Sequence, residues 1–347
     1  MALTECYRSV RTLAILFTLA TAGCVTSAPG FRGPVSEHFD GERFHNLAPF
    51  KDKGFFDVAD AFLFEEGGDW DERAIENSVP DARVPGGLRV TFINHSTTLI
   101  QLDGINILTD PIYSNRASPL SWAGPSRYHS PGVAFEDLPP IDVVVVSHNH
   151  YDHLDISTLG RLQERDSPLI VAGLGTEALL AEEEITGGHD LDWWKSVKVG
   201  PLTIHAVPAQ HWSRRGFGDT RNTLWAGYFI EGPSGRVYFA GDTAWGPHFD
   251  SIRERFAPPD LALLPVGAFE PRWFMRSSHV SPEETADAAF VLNARVSVPI
   301  HWGTFDLGLD GPHEGLRVLH RYLDLMDEPP KFHVLKPGES LQVVGEG

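Results

Sequence analysis

Cysteine is almost absent from this chain. Only Cys6 and Cys24 occur among 347 residues. No disulfide can form beyond the first few positions, and no thiolate is available there to hold a metal. Basic charge is also short: 28 Lys and Arg face 47 Asp and Glu, a formal net charge of −19. An acidic surface repels phosphate backbones, so nucleic acid is excluded as an expected partner. No internal repeat is visible by period. No helical bundle is expected either, because 33 glycines and 26 prolines call for many turns and long loops. The apolar fraction, 42%, is that of a globular protein with a real core.

The apolar stretch at 12–22 is too short to cross a bilayer, which takes about 20 residues. It follows Arg8 and Arg11 and ends in Ala22-Gly23-Cys24. Basic start, apolar middle and small residues before a cleavage point are the layout of an export signal. The cysteine at that point resembles a bacterial lipoprotein signal, although Thr21 stands where leucine is usual. The expected organisation is a lipoprotein-type signal over 1–23, a tether and extension over 24–84, and one main domain over 85–347. A lipidated Cys24 would anchor the exported chain on the outer membrane or the periplasmic face. The extension lacks periodicity, but Phe39, Phe44, Phe50, Phe55, Phe56, Phe62 and Phe64 are too many aromatics for a solvated linker. It is expected to pack on the domain.

The densest chemistry lies at 143–155. Four valines, Val143 to Val146, read as a strand buried on both faces inside a layered α/β sheet. Ser147-His148-Asn149-His150-Tyr151-Asp152-His153-Leu154-Asp155 follows directly. In extended backbone, side chains two apart share a face, so His148 and His150 can grip one ion. Asp152 and His153 lie past the first turn and can reach a second. Imidazole and carboxylate are ligands that Zn²⁺ prefers.

The same event recurs along the chain: an apolar strand runs out and a ligand-type residue appears. It happens at His211, Asp242 and His301, after strands expected at 202–207, 237–240 and 296–300. Strand ends of an α/β sheet form one rim, where sites collect. Other strands are expected at 88–93, 97–102, 105–108, 168–172, 225–230, 261–265 and 341–344. Helices are expected at 156–163, 176–183, 282–292, with Ser281 as N-cap, and 314–325.

Several segments carry a family likeness. They include Asn94-His95-Ser96-Thr97, Leu108-Thr109-Asp110-Pro111-Ile112, Ser147 through Asp155, Gln210-His211-Trp212 and Phe239-Ala240-Gly241-Asp242-Thr243. Gly267 through Met275, His279 through Glu284, and Ile300-His301-Trp302-Gly303-Thr304-Phe305 continue it. Over about residues 85–325 the chain resembles the metallo-β-lactamase superfamily, an αββα sandwich. Within that superfamily it resembles the N-acyl-phosphatidylethanolamine-hydrolysing phospholipase D branch.

The resemblance implies two zinc ions per chain. One would take His148, His150 and His211, the other Asp152, His153 and His301, with Asp242 bridging. A hydroxide shared by the ions would attack phosphorus in line. N-acyl-phosphatidylethanolamine, or a related phospholipid, would give phosphatidic acid and an N-acylethanolamine. Asp242, Asp152 and His279 are the implied catalytic residues, with His279 also readable as a helix-start hydrogen-bonder. Asp110 reads either as a carboxylate orienting a ligand histidine or as a turn former before Pro111. Arg272 reads as a phosphate contact or as the partner of Glu270. His95 reads as structural, and Trp302 and Phe305 as packing.

Two other readings stand beside this one. A zinc-dependent lactonase, or another hydrolase of this fold acting on a small phosphorylated substrate, would use the same ligands. β-Lactamases with a cysteine ligand are excluded by the cysteine count. A lipoprotein that only binds or scaffolds is the third. Oligomeric state is not readable.

Overall fold

In the computed structural model, residues 26–50, 53, 57, 60–61 and 67–344 are described. The signal, Cys24, Phe55, Phe56, Phe62 and Phe64 lie outside the described residues.

The main domain starts with an antiparallel meander of β1 (Leu88–Asn94), β2 (Thr97–Leu102) and β3 (Ile105–Thr109). Asp103 and Gly104 join the last two with positive φ at both positions, 51° and 83°. That is the two-residue turn whose twist suits a hairpin. β4 (Val143–Val146), β5 (Leu169–Gly173) and β6 (Gly188–Leu191) then add in parallel, and β13 (Ser340–Val344) covers the opposite edge beside β1. Parallel addition needs crossovers. Helix α1 (Ile156–Asp166) links β4 to β5, and α2 (Thr176–Glu182) links β5 to β6.

The second sheet holds β7 (Ser196–Val199), β8 (Leu202–Val207), β9 (Gly227–Gly232), β10 (Gly235–Phe239), β11 (Leu261–Pro265) and β12 (Ser297–Ile300), adjacent in that order. Its parallel members are bridged by α3 (His248–Arg255), the short α4 (Arg272–Met275) and α5 (Pro282–Leu292); α6 (Glu314–Leu323) follows β12.

The valine run shows how the layers form. Val143 and Val145 join the core between the sheets, with Ile204, Tyr228 and Phe239. Val144 and Val146 point the other way, onto Leu159 and Leu162 of α1 and Leu179 and Leu180 of α2. The outer face of the second sheet packs on Phe249, Ile252, Ala288 and Leu292. Two sheets between two helical layers make the αββα sandwich.

The helix at α5 begins as its residues dictate. Ser281 Oγ accepts from the Glu284 N–H, and Glu284 returns a bond to the Ser281 N–H. β6, β7, α3 and α4 were not foreseen from periodicity: β6 carries His189 and Asp190, and β7 is a short edge strand alternating between half-buried and exposed residues.

The extension packs on this frame. Phe39 and Phe44 are buried in the core between the sheets, with ring centroids 4.7 Å apart. The Phe44 N–H donates to Arg221 O at 2.9 Å.

Candidate metal centre

β4 ends at Val146, and its sequel turns sharply: residues 147–150 lie outside regular structure and 151–153 form a turn. His148 and His150 converge there with His211, which follows β8 by four residues. His148 Nε2 lies 2.7 Å from His150 Nδ1, and His211 Nε2 lies 3.3 Å from the same atom. His148 and His211 are each tied by their other nitrogen, to Ser147 Oγ at 2.9 Å and to Ser278 O at 2.8 Å. Ser278 O can only accept, so His211 carries its proton on Nδ1 and presents a bare Nε2.

A second group stands beside the first. His153 Nε2 is 3.1 Å from Asp152 Oδ2 and 3.2 Å from Asp242 Oδ2. His301 Nε2 is 3.4 Å from Asp152 Oδ2 and 3.3 Å from Asp242 Oδ1. Asp242 Oδ2 also lies 3.8 Å from His211 Nε2 and 3.9 Å from His148 Nε2. Asp242 is thus the side chain shared by both groups, at the end of β10. His279 completes one side, its Nδ1 3.8 Å from Asp242 Oδ2.

The donor chemistry fits divalent cations. Asp110 Oδ2 takes the Nδ1–H of His153 at 2.6 Å, so without a proton of its own His153 Nε2 is a lone pair facing two carboxylates. Acceptors facing acceptors repel unless a cation stands between them. Among the described residues, His150 Nε2, His153 Nε2, His301 Nε2 and Asp242 Oδ1 are buried without hydrogen-bond partners. Among the described residues there are four groupings whose ligand atoms lie within 4.8 Å of one another inside each group, and together they draw in all of these residues and His95.

Electrostatics divide the two groups. Burial, reinforced by neighbouring imidazoles, holds His148 well below the ordinary histidine value. Burial likewise pushes His150 down to about 4 and His211 down to about 3. These stay neutral, the form that ligates. At His153, burial is outweighed by Asp242, Asp152 and Asp110, which raise it well above the ordinary value. At His301, Asp242 and Asp152 overcome burial and push it up to about 9. This group demands positive charge.

The backbone is bent to make the site. His95, Asp110 and His301 all adopt positive φ, 45°, 33° and 61°. Such strain costs about 1–3 kcal/mol per residue and gathers at functional sites. Gly241 has φ 59°, and a Cβ there would lie 2.4 Å from Ser147 Cβ. Close approach of these loops sets Asp242 against His148.

The structure brings all seven ligand candidates and His279 together. Asp110 is an orienting carboxylate: it fixes His153 and accepts from Ser147 N at 2.7 Å and Ser147 Oγ at 2.6 Å. One reading needs correction. Arg272 does not pair its guanidinium with Glu270; it reaches Glu284 and His279 O, because α5 presents Glu284 to it, while the Glu270 carboxylate accepts from the Arg272 backbone N–H. His95, read as structural, sits at the centre, its Nε2 3.0 Å from Asp152 Oδ2 and its carbonyl accepting the His301 N–H at 2.8 Å. The recurring strand-end signal applies to it too, since it directly follows β1. Trp302 and Phe305 pack as expected: Trp302 stacks on Phe92 at 5.5 Å, and Phe305 is buried.

An αββα sandwich with histidines and aspartates gathered at its strand ends defines a metallo-β-lactamase-fold hydrolase. A family model described as a beta-lactamase superfamily domain matches residues 105–302. The N-acyl-phosphatidylethanolamine-hydrolyzing phospholipase D 1 of Caenorhabditis elegans is 37% identical over 258 residues, 69% of this chain and 72% of that protein. The mitochondrial enzyme of the same name from Saccharomyces cerevisiae is 34% identical over 224 residues, 62% of this chain and 48% of that one. Igni18, a metallo hydrolase from Ignicoccus hospitalis, shares the fold at TM-score 0.56 and 23% identity, covering 73% of this chain and 97% of its own. The chain belongs to the metallo-β-lactamase superfamily, in the branch similar to the N-acyl-phosphatidylethanolamine-hydrolysing phospholipases D.

Proposed function

We propose that this protein is a dinuclear zinc phosphodiesterase of phospholipase D type, acting on N-acyl-phosphatidylethanolamine or related glycerophospholipids. One observation carries the reading: Asp242 lies between two separate groups of buried imidazoles. His148, His150 and His211 would hold one ion, and Asp152, His153 and His301 the other. The ions would supply an activated water near neutral pH and offset charge on the phosphate oxygens.

The remaining chemistry belongs to the side chains. Asp110 keeps the His153 ring oriented. Among the described residues His279 Nδ1 is buried without a hydrogen-bond partner beside Asp242, placed to donate its N–H to a phosphoryl oxygen. Burial, the largest influence on it, holds His279 well below the ordinary histidine value, so it is neutral at pH 7.

A cleft of about 440 Å³ supports an amphipathic substrate. Its lining includes Gln210, Ala244 and Ser277, each within two residues of His211, Asp242 or His279. Phe50, Trp245, Trp273 and Phe274 give it apolar walls. Both tryptophans are also exposed, as a site loading from a lipid surface requires. The proposal includes export and anchoring through a lipidated Cys24, on the sequence of residues 8–24. That would put the enzyme at the membrane that supplies its substrate.

The test is phosphorus NMR of a bacterial lipid extract before and after addition of the protein, with a lactone panel in parallel. Appearance of phosphatidic acid is expected. Turnover of lactones alone would defeat the proposal and favour the lactonase reading.

A further inference from the structure

The segment after β8 that carries His211 lies outside regular structure, so its backbone needs partners from elsewhere. Asn46, from the N-terminal extension, supplies them. Its Oδ1 accepts the His211 N–H at 3.0 Å, and its Nδ2 donates to His211 O at 2.7 Å. One carboxamide thus closes both backbone groups of a single residue. The same Oδ1 accepts from Trp225 Nε1 at 3.0 Å, and Trp225, 1% exposed, also donates to Ala209 O at 2.9 Å. Neighbouring contacts repeat the pattern: Gln210 Nε2 donates to Ala48 O at 3.3 Å. Phe44 holds this stretch down from the other side, in the core.

His211 is therefore fixed at three points, by Asn46 at both backbone groups and by Ser278 at Nδ1. Together these aim Nε2 at His150 and Asp242. Asn46 lies well before residue 105, where the superfamily match begins. We infer that Asn46 is a positioning residue for the His148–His150–His211 ion site, so that the extension is a working part of the metal centre. This rests on the proposed metal centre. Side chains that orient a metal ligand typically alter metal affinity about 10–100-fold.

The test titrates Zn²⁺ and Co²⁺ into full-length N46A and F44L proteins against a competing chelator. The visible spectrum of bound Co²⁺ reports ligand geometry. Circular dichroism is used to choose a temperature at which each protein is folded. F44L loosens the extension without touching the Asn46 bonds.

The expected result for N46A is a roughly 10–100-fold loss of affinity in one ion site. The Co²⁺ spectrum should change, the second site should keep its affinity, and F44L should stay near wild type. Near-wild-type affinity in folded N46A overturns the inference, and so does an equal loss in F44L. If N46A does not fold, N46D is judged by the same criterion, since it keeps the two acceptor contacts and loses the donation to His211 O. Failure of the wild type itself to bind either ion would sink the metal centre rather than the role of Asn46.

Discussion

Asp242 offers both carboxylate oxygens to buried imidazoles, Oδ1 to His301 and Oδ2 to His153. Asp242→Asn keeps the shape but replaces one oxygen with an amide N–H pair that cannot ligate. Turnover should fall by more than the ~10–100-fold that an outer residue costs, with circular dichroism unchanged; near-wild-type activity would mean Asp242 is not the bridge. Asp110 has three donors to satisfy, Ser147 N, Ser147 Oγ and His153 Nδ1. Asp110→Asn has a single acceptor oxygen for them, so metal affinity should drop about 10–100-fold in a chelator titration. His279→Ala should lower kcat with metal content intact, and zinc loss there would make it a ligand. The gathering of the seven candidate ligands was legible because period-two backbone and strand ends announce themselves in sequence. His95 and Asn46 were not. A histidine after one strand looks like any other until the register shows which strand ends meet, and an asparagine in an aperiodic segment carries no mark of the loop it will clamp.

Among the elements, the loops between strand and ligand carry the information that periodicity omits. The runs at Leu88–Asn94, Thr97–Leu102 and Leu202–Val207 were readable because β-branched and apolar residues recur between turn signals. β6 and β7 were not: β6 half-buries His189 and Asp190, which carry no apolar pattern, and β7 is a four-residue edge strand too short to establish a period. Gly241 shows how tightly one such loop is specified. Gly241→Ala adds a Cβ 2.4 Å from Ser147 Cβ at a φ of 59°. Left-handed backbone costs an alanine about 1–2 kcal/mol, and the clash a further ~1–3 kcal/mol. Urea unfolding should therefore show a loss of about 2–5 kcal/mol, with reduced metal content, because Asp242 and the Ser147–Asp110 pair move apart. A variant as stable as wild type would mean the two loops have slack between them.

At the scale of the whole molecule, the candidate metal centre couples metal binding to pH. His153 and His301 are held protonated by Asp242, Asp152 and, for His153, Asp110, against the penalty of burial. Ions ligate only the neutral imidazole, so protons and metal compete for the same nitrogens. The sign follows directly. Below the raised values the protons must be displaced, and metal binding is weakened; as pH rises towards the His301 value of about 9, that competition fades and binding tightens. Apparent affinity should climb with pH from 6 to 8, with protons released on loading, and the climb should slacken above about 9. Calorimetry in buffers of different ionisation enthalpy measures both quantities. Burial holds His148, His150 and His211 below the ordinary value, which predicts that these three contribute almost none of this release. His301→Ala should therefore flatten the pH dependence at the group of Asp152, His153 and His301 and leave proton release at the group of His148, His150 and His211 unchanged. A pH-independent affinity across that range would show that the two carboxylates do not hold these histidines charged, and would undo the division of the centre into a neutral half and a charged one.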